Sequence, residues 1–343
     1  MTAVGSAHLE RWHSTCPDCA EVGFVADGRL GVTGYLTTRA RRMACLAGLN
    51  DPFRKAEPLL RELSGWSVDA ETLRRLTHTE AGQAARTRDQ RGGLPEAFAE
   101  ASGDREAHID AGKVNTRGGW RDVKVAVFAV RERAGPTSSN DYEQRDLPAP
   151  RVRSVIAAVE EVGAFGPRCR AEAERLKVTD PVRLSVLGDG AEWIWNLAAL
   201  QFTDAKQVLD FYHAAEYLAK AGRASLGAEA LPVWLARARV LLVSDGYLGA
   251  CEALGELPGG AAEIGEALNY LAGHRERVNY ALRLCRGQTI GSGLVEGTIK
   301  QRVNLRLKRT GARWLAAGVG PFVEMLAMSD TPDWAEYWNT LAA

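Results

Sequence analysis

The chain has 343 residues, 46% hydrophobic and 25% charged, which is long enough for two or three domains with a good core and too apolar for extended disorder. Lys plus Arg and Asp plus Glu are both 43, so the net charge of zero argues against a uniformly basic nucleic-acid coat while leaving room for a local basic patch. Six scattered cysteines, no signal peptide and no apolar run near the roughly 20 residues of a membrane span exclude a disulfide framework, and lead us to expect a soluble cytoplasmic protein with reduced thiols.

Near the N-terminus stands one Cys16-Pro-Asp-Cys19 pair, with His8 and His13 nearby. Cys16 and Cys19 are the candidate zinc ligands, but a closed zinc site takes four ligands, so we expect a structural turn here in preference to zinc. Three helix-like runs follow, at residues 34–48, 52–63 and 67–83. Leu59, Leu60 and Leu63 fall at helical spacing, and Ser64-Gly65 reads as a stop. Ser67 is the expected N-cap of the third run, with Asp69 and Glu71 in its first turn. Two helices around a short glycine-containing turn fit a helix-turn-helix, with residues 67–78 as recognition element and Arg74 and Arg75 toward DNA. A plain helical bundle has the same pattern. Residues 86–103 turn polar and read as a linker.

From Glu106 the texture changes. Residues 107–116 and 120–131, the second containing VKVAVFAV, are β-prone, and Gly118-Gly119 between them signals a hairpin. Asp110 lies inside the first strand, where a charge is unusual unless it has a task. A third strand is expected somewhere in residues 134–147, and residues 150–162 and 167–177 are expected to be helical. Residues 182–187, VRLSVL, form a compact apolar strand ending in Gly188-Asp189-Gly190, and the helix-like AEWIWNLAALQF follows. An aspartate at the carboxyl end of such a strand stands where α/β sheets place their ligands. Residues 205–211 suggest a further strand, running into Asp210-Phe211-Tyr212-His213. Residues 214–284 read as helical, broken at 222–227, 244–246 and 258–260.

The stretch 291–314 carries Glu296 behind a glycine-rich turn, Gly291-Ser292-Gly293, on a helix-like run. Lys300, Arg302, Arg306, Lys308, Arg309 and Arg313 follow without an acid among them. Arg302, Arg306, Arg309 and Arg313 are spaced four, three and four apart, so a continuous helix would line them along one phosphate-binding face. A solvated basic face has the same pattern. Trp193 and Trp314 are candidates to stack on a displaced base, with packing in the core as the preferred use of both. The apolar and aromatic residues from Phe322 to Trp338 are expected to pack on the core.

Asp110 in a first strand, Asp189 after a later one and Glu296 on a late helix form a carboxylate set in the order found in RNase H-like nucleases. Held together without a cation, such groups raise one another's pKa. Two Mg²⁺ ions about 4 Å apart relieve this, one activating a water or 3′-hydroxyl and the other stabilising the leaving oxygen. Asp210 also follows a strand-like run and competes with Asp189 as second acid. The glycines flanking Asp189, which leave room for metal and phosphate, favour Asp189.

The segments DAGKVNT with GWRDVK, then GDGAEWI, LDFYH, GSGLVEG and RLKRTGARW, resemble bacterial DDE-type insertion-sequence transposases of the ISKra group. The resemblance runs from about residue 107 to the C-terminus. It implies an α/β fold: an RNase H-like catalytic core, a mixed sheet with flanking helices, interrupted by an all-α insertion and preceded by an N-terminal helical domain. The expected divisions are 1–104, 105–213, 214–288 and 289–343. By position Asp110, Asp189 and Glu296 would be the three acids, holding two Mg²⁺, with Mn²⁺ able to take their place. Asp210-x-x-His213 is similar to the C/D-x-x-H signature of related Mutator-like transposases, which implies a structural or DNA-positioning role. Family members often begin with cysteine-rich zinc-binding segments, where this chain has a single pair. The expected activity is hydrolysis at element ends and transfer of the freed 3′-hydroxyl into target DNA. The expected partners are the terminal inverted repeats, target DNA and further copies of this chain on DNA. Two rival functions share these residues: a non-catalytic DNA-binding descendant of a transposase, and a metal-dependent hydrolase of small phosphate compounds.

Overall fold

The computed structural model describes residues 1–20 and 22–341. Its central feature grows from two segments that alternate with period two. Asp104–Thr116 (β1) and Gly119–Arg131 (β2) pair antiparallel from Asp104↔Arg131 to Thr116↔Gly119, which leaves Arg117-Gly118 as a two-residue hairpin loop. Along β2, Val123, Val125 and Val127 enter one core while Ala126, Phe128 and Val130 enter the other, so both faces of the sheet are covered.

The third strand, Val152–Ala158 (β3), lies antiparallel to β2. It corrects two expectations: residues 150–162 are not a helix, and residues 134–147 hold no strand but a connection with one short turn at Tyr142–Gln144. The sequence VRSVIAA carries three β-branched residues, Val152, Val155 and Ile156, and the open edge of β2 selects the extended form for them. Leu184–Gly188 (β4) then runs parallel to β1, and Lys206–Leu209 (β5) parallel to β4. The result is a five-stranded mixed sheet of order β3-β2-β1-β4-β5 with helices on both faces.

After a short helix at Val25–Leu30, the N-terminal helices are Thr38–Asn50 (α1), Phe53–Ser64 (α2), Ala70–Arg86 (α3) and Gly93–Glu100 (α4). The cap of α3 is Asp69, whose Oδ1 accepts from the Glu71 and Thr72 N–H groups at 3.1 and 3.0 Å, not Ser67. Buried Val68 draws the chain inward first, so the helix starts later than the Ser67 signal suggests. The expected linker at 86–103 contains α4, because Leu94 and Phe98 are fully buried against the sheet. Cys45 and Leu49 of α1 and Ala81 and Ala84 of α3 share a core with the sheet.

On the first face lie Val162–Arg175 (α5) and Glu192–Gln201 (α6), followed by an all-helical stretch: Phe211–Ser225 (α7), Ala230–Asp245 (α8), Tyr247–Gly255 (α9), Ala262–Gly273 (α10) and Tyr280–Cys285 (α11). The second face is covered by Gly293–Thr298 (α12), which continues through a π-helical turn, Ile299–Asn304, to Leu307, and by Ala316–Met328 (α13) and Pro332–Thr340 (α14). Phe322 is fully buried there, a burial that contributes about 1.5–3 kcal/mol by area. Among the described residues no helix is long and apolar enough to cross a membrane.

A layer of buried ion pairs ties these parts together. Arg88, between α3 and α4, donates to both oxygens of Glu172 of α5 at 3.0 and 2.9 Å. Arg175 does the same at 2.9 and 3.0 Å and also reaches Asp333 of α14. Burial penalises the Glu172 carboxylate, but the two guanidiniums outweigh it and hold its pKa well below the ordinary range.

A candidate metal centre at the carboxyl ends of the parallel strands

β1, β4 and β5 run the same way, so their carboxyl ends share one edge of the sheet. His108 of β1 is level with Leu187 of β4. Two residues further along each chain come Asp110, inside β1, and Asp189, the first residue past β4, so continuing the register sets the two aspartates at similar height. Gly188 is level with Leu209, so Asp210 follows at the end of β5, and its N–H donates to the Gly188 carbonyl at 2.8 Å. Glu296 arrives from α12, which crosses β1 closely. A Cβ on Gly112 would meet Ile299 Cγ2 at 3.0 Å and Val303 Cγ1 at 3.4 Å, so glycine there permits the approach.

Each of the two aspartates uses one oxygen for orientation. Asp110 Oδ1 accepts from the Ala111 N–H at 2.6 Å, and Asp189 Oδ1 accepts from the Ala191 N–H at 3.0 Å. The Oδ2 atoms of both accept no hydrogen bond among the described residues. Glu296 Oε1 accepts from Ser292 Oγ at 3.3 Å, and its Oε2 faces Lys300 Nζ at 3.4 Å. Burial pushes the Asp110 carboxyl up to about 6, opposed by the Ala111 N–H and aided by the charges of Asp189 and Glu296, while His213 pulls the other way. The three acids therefore act on one another electrostatically, and the Oδ2 atoms of Asp110 and Asp189 are hard oxygens free of protein donors, but among the described residues the three acids do not close into a grouping of ligand atoms within 4.8 Å.

Asp210 differs. It is fully buried, its Oδ1 caps α7 by accepting from the His213 N–H at 2.8 Å, and its Oδ2 accepts from the N–H and the Oγ of Ser292. Ligand atoms of Asp210, His213 and Glu296 nevertheless all lie within 4.8 Å of one another, a grouping that can hold a metal ion. Glu296 thus belongs both to this group and to the neighbourhood of Asp110 and Asp189. Asp210 fastens the glycine turn before α12 to the start of α7.

The expected arginine face does not form. The π-helical turn at Ile299–Asn304 shifts the helical register, and the helix ends at Leu307, so Arg309 and Arg313 lie beyond it. Arg306 is only 5% exposed: it donates to the Gly48 carbonyl at 3.2 and 2.9 Å and stacks 4.9–5.1 Å from the rings of Phe53, Trp314 and Phe322. Burial lowers its pKa to about 10. Its role is to staple α12 to α1 rather than to meet a phosphate. Arg302 pairs with Asp330, which also takes Arg153 at 3.1 Å. Lys308, Arg309 and Arg313 are exposed on a turn tethered to the end of β1, where the Trp314 N–H donates to the Asn115 carbonyl at 3.0 Å.

Elsewhere, Arg74 is bound back onto Glu71 at 2.6 Å, while Arg75 is exposed on the narrow open edge of α3. Trp314 packs against His78 and Phe322, and Trp193 is half-buried with Lys124 Nζ 5.8 Å from its ring. Cys16 and Cys19 sit in a small hairpin of Ser14–Thr15 with Val22–Gly23; hydrogen bonds from the Cys19 and Asp18 main chain lower the Cys16 thiol pKa. Among the described residues no third ligand joins the two cysteines into a metal-binding group.

Two contributors escape sequence reasoning. Tyr270 of α10 donates to the Asp189 carbonyl at 2.8 Å, and Gly190, at φ +97°, makes room for its hydroxyl. Nothing local in the helix marks Tyr270. Ser292, which links Asp210 to Glu296, was visible only as the centre of a glycine turn. No protein-family model matches the chain, and no curated protein matches it in sequence.

Proposed function

We propose that the protein is a metal-dependent DNA transposase of the DDE type, built on an RNase H-like core whose all-helical stretch after α7 is an insertion. The observation that carries this reading is the placing of Asp110 in β1 and Asp189 just past the adjacent parallel strand β4, at similar height by the continued register and each with one free oxygen, beneath a helix that brings Glu296. The strand order β3-β2-β1-β4-β5, antiparallel then parallel, supports the same fold.

Asp110, Asp189 and Glu296 would hold two Mg²⁺ ions, which when bound would activate a water or 3′-hydroxyl and stabilise the leaving oxygen at phosphorus. The chain's own residues do the positioning. The Ala111 and Ala191 N–H groups aim Asp110 and Asp189, Tyr270 fixes the main chain of the Asp189 turn, and Ser292 orients Glu296. Lys300 gives Glu296 a neighbouring cation. Lys308, Arg309 and Arg313, exposed beside the end of β1, hold the DNA backbone, and the N-terminal helices, with Arg75, meet the element's ends. Further copies of the chain assemble on the paired ends. The free Oδ2 atoms of Asp110 and Asp189 favour catalysis over the non-catalytic rival.

The Asp210–His213–Glu296 grouping supports a second reading of the same centre, with Asp210 as second acid. Cleavage of a duplex carrying the terminal repeat, taken from the DNA flanking the gene, separates the two. Asp189→Ala should abolish Mg²⁺-dependent cleavage and leave binding largely intact. If Asp189→Ala still cleaves and Asp210→Ala, verified as folded, does not, the second acid is Asp210. If Asp189→Ala and Glu296→Ala both cleave like wild type, the reading as a DDE enzyme fails.

A further inference from the structure

The opposite end of the same parallel strands carries another polar concavity. Asp104 opens β1, Arg183 immediately precedes β4 and Lys206 opens β5, and together with Arg133, Arg283 and Arg286 they line a cleft of about 710 Å³. The run of β1 from Asp104 to Asp110 puts roughly 20 Å between this cleft and the acidic centre. The volume falls in the range of small-molecule sites.

Its charges are unevenly matched. Asp104 is neutralised by Arg133, at 2.9 Å to each oxygen, and also accepts from Gln288 at 2.8 Å. Glu132 takes Arg151 at 2.7 Å. Arg183, Lys206, Arg283 and Arg286 have no ion-pair partner among the described residues; Asp204 in the lining opposes them, and Asp104 and Glu106 act on Arg283 only at longer range. Such a surplus suits a dianion better than a single carboxylate.

Arg283 is the informative member. It is 4% exposed, yet its Nε donates to the Thr289 carbonyl at 2.6 Å and its Nη1 to Ser185 Oγ at 3.1 Å, both neutral acceptors. Its Nη2 makes no hydrogen bond among the described residues. A buried guanidinium with no carboxylate bonded to it is costly, and burial here pulls its pKa down to about 10 although Glu106 and Asp104 partly oppose it. Fixed on neutral groups, it presents its remaining donors at the floor of a cationic cleft. The same lining includes Asn279, whose Oδ1 is buried and accepts no hydrogen bond.

We propose that this cleft binds a phosphate monoester of nucleotide size, with the phosphate on Arg283, Lys206 and Arg286 and a hydroxyl or amino donor of the ligand on Asn279 Oδ1. The site is separate from the acidic centre and does not depend on its chemistry.

The test is calorimetric titration of the full chain with adenosine 5′-monophosphate, inorganic phosphate and adenosine, in a metal chelator. The monophosphate should bind saturably and more tightly than phosphate or adenosine. The rim variants Lys206→Ala and Arg286→Ala, which remove exposed charges and keep the fold, should each weaken it about tenfold. Asn279→Ala should bring its affinity down to that of inorganic phosphate, and Asp189→Asn with Glu296→Gln should leave binding unchanged. Absence of saturable binding at about 1 mM overturns the proposal. So does binding that the rim variants do not weaken, a monophosphate no tighter than phosphate, or binding lost in the Asp189→Asn, Glu296→Gln protein. DNA cleavage that fails while this binding persists counts against the transposase reading alone.

Discussion

Two groups of half-buried and buried carboxylates in this molecule are built on opposite terms. Around Glu172, every acid meets a guanidinium: Arg88 and Arg175 each grip both oxygens, and Asp333 takes Arg175. Around Asp110, acid faces acid, and the one salt bridge made to the three acids among the described residues is Lys300 with Glu296, at 3.4 Å. The same functional group, a side-chain carboxyl, therefore titrates in opposite directions: Glu172 is held well below its ordinary value, Asp110 is pushed up to about 6. A fold closes its structural charges internally. Where it leaves like charges together, one of the acids holds a proton more tightly or a cation from outside can neutralise them.

The largest effect that tests this contrast is on activity. Asp189→Ala or Glu296→Ala should cut Mg²⁺-dependent cleavage by more than the roughly 10–100-fold typical of losing an outer partner of a metal site. Glu172→Gln should leave cleavage per folded molecule unchanged. A gel assay normalised to folded protein by circular dichroism reads both, and equal losses would erase the distinction.

Stability should respond the other way round. Breaking a buried pair strands the remaining charges, so Glu172→Gln should cost about 3–5 kcal/mol in urea unfolding at pH 7. Because the folded-state pKa of Glu172 lies below its ordinary 4.5, its contribution is present above that value and lost as pH falls through the folded pKa. The gap between wild type and variant should thus be widest near neutrality and close in acid.

Asp110→Asn should have the opposite sign. Asp110 binds its proton more tightly in the folded chain than in the unfolded one, so its ionisation costs stability as pH rises from about 3.8 to about 6. In chelator at pH 7.5 (a value about 1.5 above the folded pKa) the variant should be more stable than wild type by about 1–3 kcal/mol, allowing for partial exposure. The advantage should vanish below about pH 4, and Mg²⁺ should stabilise wild type but not the variant. A variant destabilised at neutral pH would mean that Asp110 is an ordinary structural acid.

How much of this was legible in the sequence depends on how local the cause is. The hairpin of β1 and β2 follows from β-prone residues and a glycine turn, and the strand before Asp189 from its apolar run, so both could be read. β3 could not, because the helix-like residues 150–162 become a strand only through the edge of β2. Nor could the similar height of Asp110 and Asp189, which is a matter of register between strands remote in sequence. Arg306 is the sharpest case. Its spacing fits a phosphate-binding row, but its fate was decided by the rings of Phe53 and Phe322 on other helices.

The smallest effect concerns the basic residues that remain outside. Arg309 and Arg313 are exposed on the turn after Leu307, so replacing them with alanine should change unfolding free energy by no more than about 0.5 kcal/mol. DNA affinity should still fall, because each phosphate contact releases condensed counterions, and the slope of log affinity against log salt should become shallower by about 1 per arginine removed. Arg306→Ala should behave in the reverse manner. It removes the bonds to the Gly48 carbonyl and the packing on three rings, so stability should drop, whereas the salt slope of the folded fraction should stay where it was. Filter binding at several salt concentrations, alongside urea melts, measures both quantities on the same proteins. A salt slope that shifts for Arg306→Ala and not for Arg309→Ala would return Arg306 to the DNA and leave the exposed turn as a solvated loop.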